Sequence, residues 1–238
     1  METEKKIILG FFFTYGLSLK EWKERGLLDR EIKLYNALAK QQCIKKIFFF
    51  TYGDESENQF SNRLDPKIEI ITKPKKYSNK IYSFLLPLLQ KKYLKECTIL
   101  KTNQMDGAWT AVLAKLLYSK ELIVRTGYCW SITLKHLKKR KKWFWAKIVE
   151  RIAYWYADVG IVTSNRDKQY IEEEYGFKRV MLIPNYVDTD LFIPKEKNKI
   201  KDEICFVGRL SKEKNLYMLI DALHGTGIGV TLIGDGGE

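Results

Sequence analysis

Short, largely apolar runs alternate with longer helical patterns along most of this chain, and no other feature constrains its fold so tightly. The runs at residues 6–13, 46–51, 68–71, 98–101, 122–125, 159–162 and 180–183 are rich in β-branched and aromatic residues. Between most of them, apolar positions recur at helical spacing over 27–42, 81–95, 107–119, 141–156 and 167–175. A strand that is apolar along its whole length, rather than at every second residue, is one buried on both faces of a parallel sheet. The order therefore predicts a doubly wound α/β domain. The hexapeptide FFFTYG ends the first run, at 11–16, and the second, at 48–53. The likeness dies outside it, whereas a solenoid needs at least three similar units. The pair reads as two adjacent core strands of like composition, each leaving through a glycine turn. Ligands of open α/β sheets bind beyond the carboxyl ends of strands, so either turn is a candidate site element. The second turn opens an acidic loop to which the sequence assigns no task.

A break follows the last of these runs. The segment IPNYVDTDLFIPKEKNKIKDE, 183–203, holds two of the five prolines and a charged, apolar-poor tail, the composition of a linker. Beyond it, a strand at 204–207, a helix at 213–223 and a strand at 229–233 open a new unit. A single β-α-β of that length buries too little to fold alone. The expected organisation is a Rossmann-like domain at 1–185, a linker at 186–202, and the incomplete start of a second domain at 203–238. The chain then reads as the front of a longer one, or as a domain with a packed remnant.

Charge speaks to partners. Lys and Arg total 42 against 29 for Asp and Glu, a net +13 that attracts phosphate-rich species: nucleotides, anionic lipids or nucleic acid. The excess is concentrated where Lys138, Lys139, Arg140, Lys141 and Lys142 run directly into Trp143. Basic residues beside aromatics suit an anionic membrane surface. Nucleic acid is not expected, because no nucleic-acid-binding module is recognisable. The stripe Trp145, Ile148, Val149, Ile152 and Trp155 that follows reads as a helix face packed on the sheet. No apolar run approaches the roughly 20 residues of a membrane span, and METEKK lacks signal-peptide character. The expected address is the cytoplasm, peripheral on the inner face of the plasma membrane where the basic run docks. The four cysteines lie far apart with no C-x-x-C pair, which argues against disulfide or metal work.

The strongest local signal is ICFVGRLSKEKNLYMLIDAL, 204–223. A strand ends in Gly208, Arg209 follows, and Lys214 and Asn215 stand at the expected start of an amphipathic helix. Free N–H groups and the positive end of a helix dipole, flanked by two cations, suit a phosphate. Arg can grip two phosphate oxygens and Lys adds a point charge. On chemistry alone, an ordinary βα turn with surface cations stands level with that reading. Neither a Walker loop nor G-x-G-x-x-G is present, which disfavours P-loop and dinucleotide enzymes.

VGRLSKEKN, with its helix and the following VTLIGDGG, closely resembles the donor-binding domain of the family 4 glycosyltransferases. Their GT-B architecture sets two Rossmann-like domains about a cleft. IPNYVDTDLF, 183–192, is similar to that family's interdomain signature, and ADVGIVTSN, 157–165, to the strand before it. FFFTYGLSLKEW, KTNQMDGAW and LIVRTGYCWS are similar to segments of one subgroup, so the resemblance runs from end to end. It implies retaining transfer of a sugar from a nucleotide-sugar donor to a saccharide or lipid-linked acceptor, in cell-surface polysaccharide or glycolipid synthesis. Neither a cofactor nor a bound metal is implied. Carried onto this sequence, Arg209 and Lys214 hold the donor diphosphate and offset charge on the leaving group. Gly208, Asn215, Gly234, Asp235 and Gly236 complete the donor site. Gly16 matches the loop that closes over donor and acceptor, and Asn103, Gln104, Arg125, Gly127 and Tyr128 line the acceptor side.

Two departures bear on activity. Arg125-Thr126-Gly127-Tyr128 stands where many members carry a histidine near the sugar, and the family's paired glutamates fall beyond Gly236. The chain as given is expected to lack most of its donor domain and to catalyse weakly or not at all. Asp188-Thr189-Asp190 has the form of a metal-binding D-x-D. It lies inside the interdomain motif, where a capping role is the preferred reading. The rival functional class is a non-catalytic membrane-surface or partner-binding module built on the first domain.

Overall fold

The computed structural model describes residues 6–193 and 203–237. The chain divides into two compact units between Asn185 and Tyr186. Positions 194–202 of the expected linker lie outside the described residues.

The first unit is built on one seven-stranded sheet. Its strands are β1 (Ile7–Phe12), β2 (Ile44–Phe50), β3 (Ile68–Ile71), β4 (Ile99–Thr102), β5 (Glu121–Thr126), β6 (Val159–Val162) and β7 (Val180–Leu182). They lie in the order β3-β2-β1-β4-β5-β6-β7, and every neighbouring pair is parallel. The chain winds outward from β1 to β3, returns to β4 beside β1, and winds outward again to β7. This is the doubly wound arrangement the apolar runs predict, and its reversal between β1 and β4 is the switch point at which such sheets bind ligands.

The two Phe triplets explain themselves in this sheet. Phe11 and Phe13 pack on Trp22, and Phe11 and Phe49 on Tyr35, which come from α1 (Leu19–Glu24) and α2 (Leu28–Ala39). Phe12 meets Phe50, and Phe48 meets Tyr93 of α4 (Lys91–Glu96). Strands covered by side chains from both directions select aromatics at consecutive positions, each fully buried ring contributing about 1.5–3 kcal/mol.

Several helices depart from the sequence reading. The pattern over 81–95 is two helices, α3 (Asn79–Leu89) and α4, parted at Gln90. Pro87 lies inside α3, and without an N–H it leaves the Ser83 carbonyl unused. Thr110 Oγ1 of α5 (Ala108–Tyr118) takes that carbonyl at 2.7 Å, and Tyr118 OH takes that of Pro87 at 2.7 Å. The short α1, a 3-10 segment at Glu55–Arg63 and α6 (Trp130–His136) are unanticipated.

The packing stripe read onto α7 (Arg140–Tyr156) is also corrected. Ala146, Val149, Glu150, Ala153 and Tyr154 face inward, while Trp145 and Ile152 are exposed and Trp155 is 80% exposed. The reason is close packing. α7 lies against α5 and α6 more than on the sheet, and the inward positions at Ala146 and Ala153 meet a partner whose own buried residues include Ala111 and Ala114. Small residues let helix axes approach, which turns the large side chains outward. The last helix of the unit is α8 (Asn165–Tyr175), N-capped by Ser164.

The acidic loop after the second FFFTYG has a task. Glu57, on the 3-10 segment and almost fully buried, accepts from Leu19 N at 2.7 Å, Lys20 N at 3.1 Å and Thr51 Oγ1 at 3.1 Å. Its carboxylate therefore satisfies amides at the start of α1, the helix that follows the first FFFTYG.

The second unit holds β8 (Glu203–Val207) and β9 (Gly229–Ile233), paired in parallel. A single 3-10 turn, Lys212–Lys214, and α9 (Leu216–Leu223) connect them. The helix expected from 213 thus begins at Leu216. Asn215 takes φ +50°, a left-handed conformation that ends the 3-10 turn, so Lys214 and Asn215 precede the helix rather than open it.

Candidate functional site

At the switch point, the carboxyl ends of β1, β4 and β5 are tied into one edge. Thr14 to Leu17 form a turn closed by Leu17 N donating to Thr14 O at 2.9 Å. Gly16 lies at its third position with φ +75°, where a Cβ is disfavoured. Tyr52 of the second TYG donates its N–H to Leu17 O at 3.1 Å and sets its ring 5.6 Å from that of Tyr15. The echo in the sequence is a buttress in the structure.

The loop after β4 docks on this turn. Tyr15 N donates to Asp106 O at 3.0 Å, and Asn103 Nδ2 to Thr14 Oγ1 at 3.3 Å. Arg125, at the end of β5, donates to Asn103 O at 3.1 Å and to Asn185 Oδ1 at 2.8 Å. Gly127 N donates to Gln104 Oε1 at 2.9 Å, and Thr163 Oγ1 to Gly127 O at 3.0 Å. The structure thus brings Gly16, Asn103, Gln104, Arg125 and Gly127 to one edge, with Tyr128 exposed beside them. Much of their hydrogen-bonding capacity is spent on holding the edge together, a role the sequence reading did not assign.

Three residues that the sequence reading passed over belong to this edge. Asp106 stands in KTNQMDGAW just before α5, and burial raises its pKa to about 6 against the opposing pull of Lys142. A carboxylate between a parallel strand and the next helix is a signal the sequence did offer. Asn185, inside IPNYVDTDLF, anchors Arg125. Lys101 on β4 bonds Tyr35 OH at 3.1 Å and lies 5.1 Å from the Phe11 ring centroid. The residue is half-buried overall, yet enclosure of its ammonium, with Arg125 adding repulsion, lowers its pKa to about 7.

The sign of that shift gives a test. From its ordinary 10.5 down to about 7, the unfolded chain holds a proton that the folded one has shed, so stability rises with pH across this window. Lys101→Met is expected to stabilise by on the order of 1–3 kcal/mol at pH 6, with the gain shrinking toward pH 10. Urea unfolding at the two pH values measures it, and an equal effect at both would contradict the buried-cation account.

Two of the four cysteines, Cys97 and Cys129, are buried and poor nucleophiles. Burial pushes the Cys97 thiol up to about 12 and the Cys129 thiol higher still.

In the second unit, the turn leaving β8 is stitched to the turn leaving β9. Gly208 N donates to Ile233 O at 2.9 Å, Leu210 N to Asp235 O at 3.0 Å, and Gly236 N to its neighbour's Asp235 Oδ1 at 2.7 Å. The approach is so close that a Cβ on Gly234 would lie 1.8 Å from the Gly208 carbonyl oxygen. Arg209 projects from this turn, its side chain 75% exposed and 3.8 Å from Glu213 Oε1. Lys214 and Asn215 follow, both exposed. The arrangement sets two cations and the N-terminus of α9 beside a narrow, glycine-lined backbone edge. The Asp188-Thr189-Asp190 segment is a turn, with Asp188 O accepting from Leu191 N and Phe192 N at 3.1 and 3.0 Å.

Residues 32–191 match the model of Glycosyltransferase Family 4. No curated protein matches the chain by sequence. Among solved structures, sucrose-phosphate synthase from Thermosynechococcus elongatus is similar with a TM-score of 0.68 and 16% identity, over 98% of this chain and 63% of that one. Anabaena Alr3699/HepE in complex with UDP-glucose gives 0.62 and 15%, over 96% of this chain and 61% of that one. The apo form of the lipopolysaccharide outer core galactosyltransferase WaaB gives 0.56 and 17%, over 97% and 61%. At such identities the likeness is one of fold, and the chain spans about three fifths of the length of these structures.

Proposed function

The chain belongs to glycosyltransferase family 4, and from that membership we infer that the protein moves a sugar from a nucleotide-sugar donor to a saccharide or lipid-linked acceptor. Its fold is GT-B-like, a doubly wound first unit and the first β-α-β of a second. We propose that transfer proceeds with retention, without a bound metal, in cell-surface polysaccharide or glycolipid synthesis on the cytoplasmic side. Among the described residues, no helix is long and apolar enough to cross a membrane.

One observation carries the reading. The stitched turns after β8 and β9 expose a backbone edge beside Arg209 and Lys214, which suits a diphosphate as few other groups. HepE, of similar fold, was solved with UDP-glucose and with UDP, which favours a uridine donor here. In the first unit, Asn103 Oδ1 and Gln104 Nε2 are left over from the bonds that hold the edge. We assign these atoms to hydroxyls of the transferred sugar or acceptor.

The test is calorimetric titration of the whole protein with UDP-glucose, UDP-galactose, GDP-mannose and the free diphosphates. Binding of at least one, with the diphosphate outbinding its monophosphate, is the expected result. Indifference to every nucleotide would overturn the reading.

A further inference from the structure

The aromatic stripe of α7 stays exposed at Trp145, Ile152 and Trp155, and it continues across two neighbouring helices. α3, α5 and α7 pack side by side. Phe84, Trp109 and Trp145, one from each, form a row with ring centroids 6.2 and 6.0 Å apart. Around that row Leu88, Leu116, Ile152 and Trp155 are exposed to between 42% and 80%. An apolar surface of this breadth, spread over three helices, is more than scattered surface residues explain.

Its charge is one-sided. The three helices carry a single carboxylate, Glu150, and that one is buried, accepting from Ser131 N at 2.9 Å and Tyr175 OH at 2.5 Å. The cations of residues 138–142 are all exposed, at the end of α7 that adjoins the aromatic row. Three of them sit in the first turn of a helix, where positive charge opposes the dipole. Such an arrangement is unfavourable alone and favourable against an anion.

We propose that the α3–α5–α7 face is the surface by which the protein lies on an anionic lipid bilayer, with the aromatic row at headgroup depth and residues 138–142 among the phosphates. A second copy of the chain fits poorly, because the three helices have no exposed carboxylate with which to meet the cations of its twin. A nucleic acid would match the charge and leave Leu88, Leu116 and Ile152 without a counterpart, whereas a bilayer receives both. Each of the three helices begins at the carboxyl edge of the sheet, and Lys142 acts electrostatically on Asp106 in the loop after β4. The face therefore adjoins the candidate site, and, resting on the transfer reading, docking would present that site to a lipid-linked acceptor.

The test is co-sedimentation of the purified protein with vesicles of equimolar phosphatidylglycerol and phosphatidylcholine, against phosphatidylcholine alone. Strong binding to the first and weak binding to the second is expected. Each neutralisation among residues 138–142 to Gln should weaken binding roughly fivefold, and Trp145→Ser with Trp155→Ser about tenfold or more. Quenching of the wild-type tryptophan fluorescence by brominated lipid reads the same contact without any variant. Absence of anionic-vesicle binding, absence of quenching, or a stable dimer in lipid-free light scattering that Trp155→Ser dissociates would each overturn the proposal. None of these readings requires transfer activity, so docking and catalysis fail independently.

Discussion

Glu57→Ala is expected to lower stability by about 3 kcal/mol, the cost of leaving buried donors without an acceptor. The carboxylate serves Leu19 N, Lys20 N and Thr51 Oγ1 at once. Gly53→Val should act by the same route while leaving Glu57 in the sequence. A Cβ at Gly53 would lie 2.3 Å from Glu57 Cδ and 2.4 Å from its Cγ, so the acid must leave its place. Glu57→Gln should cost far less, about 1 kcal/mol. Burial is the largest influence on this group and raises its pKa above the ordinary value, against the bonds from Leu19, Lys20 and Thr51 that lower it. A raised folded pKa means that the group's contribution is fully present below the ordinary 4.5 and is lost as pH rises through the folded value, a slope that Gln removes. Urea unfolding of the three variants, with hydrogen exchange at Leu19 and Lys20, measures the set. An Ala variant within about half a kcal/mol of wild type would sink the capping role.

The consequence reaches beyond stability. α1 follows the Gly16 turn after only Leu17 and its Ser18 cap, and Tyr52 holds Leu17 O. The second FFFTYG and its acidic loop thus fix the first, and damage to either copy should loosen the edge where β1, β4 and β5 end.

Long-range ties of this kind are what the sequence could not reveal. The strands were legible because burial on both faces leaves a composition signal within each segment, and those at Ile68–Ile71, Val159–Val162 and Gly229–Ile233 were read to the residue. The Glu57 contact joins positions 38 apart, with nothing in ESENQF to mark the acid as buried. On α7, periodicity located a helix but could not tell which of two faces turned inward. The stripe of larger side chains reads as the core face, whereas a helix packed closely on other helices selects Ala146 and Ala153. At the candidate site, motif residues were found as letters. That Arg125 spends its guanidinium on Asn103 and Asn185 appears only in three dimensions.

Arg209→Ala and Lys214→Ala should each reduce kcat/KM for sugar transfer by about 10²–10³, the loss seen when one preorganised partner of developing negative charge is removed. Little else in the structure depends on these two side chains. Arg209 is mostly exposed, and its pairing with Glu213 at 3.8 Å is a surface contact of the kind that contributes almost nothing to stability. Lys214 is exposed within a three-residue turn held by its backbone, with Lys214 N on Ser211 O at 2.8 Å. Both variants should therefore unfold at the wild-type urea midpoint, and a loss of transfer can be assigned to charge on the leaving diphosphate. Arg209→Lys keeps the charge and loses the two-pronged grip, so a smaller loss of about tenfold is expected. With both cations assigned to one leaving group, the double variant should lose less than the product of the two single losses. Affinity separates this account from a general disturbance of the turn: binding of a nucleoside diphosphate should fall in each variant while that of the monophosphate holds. Equal losses for both nucleotides would move the two cations out of the diphosphate site, and unchanged transfer would remove them from catalysis.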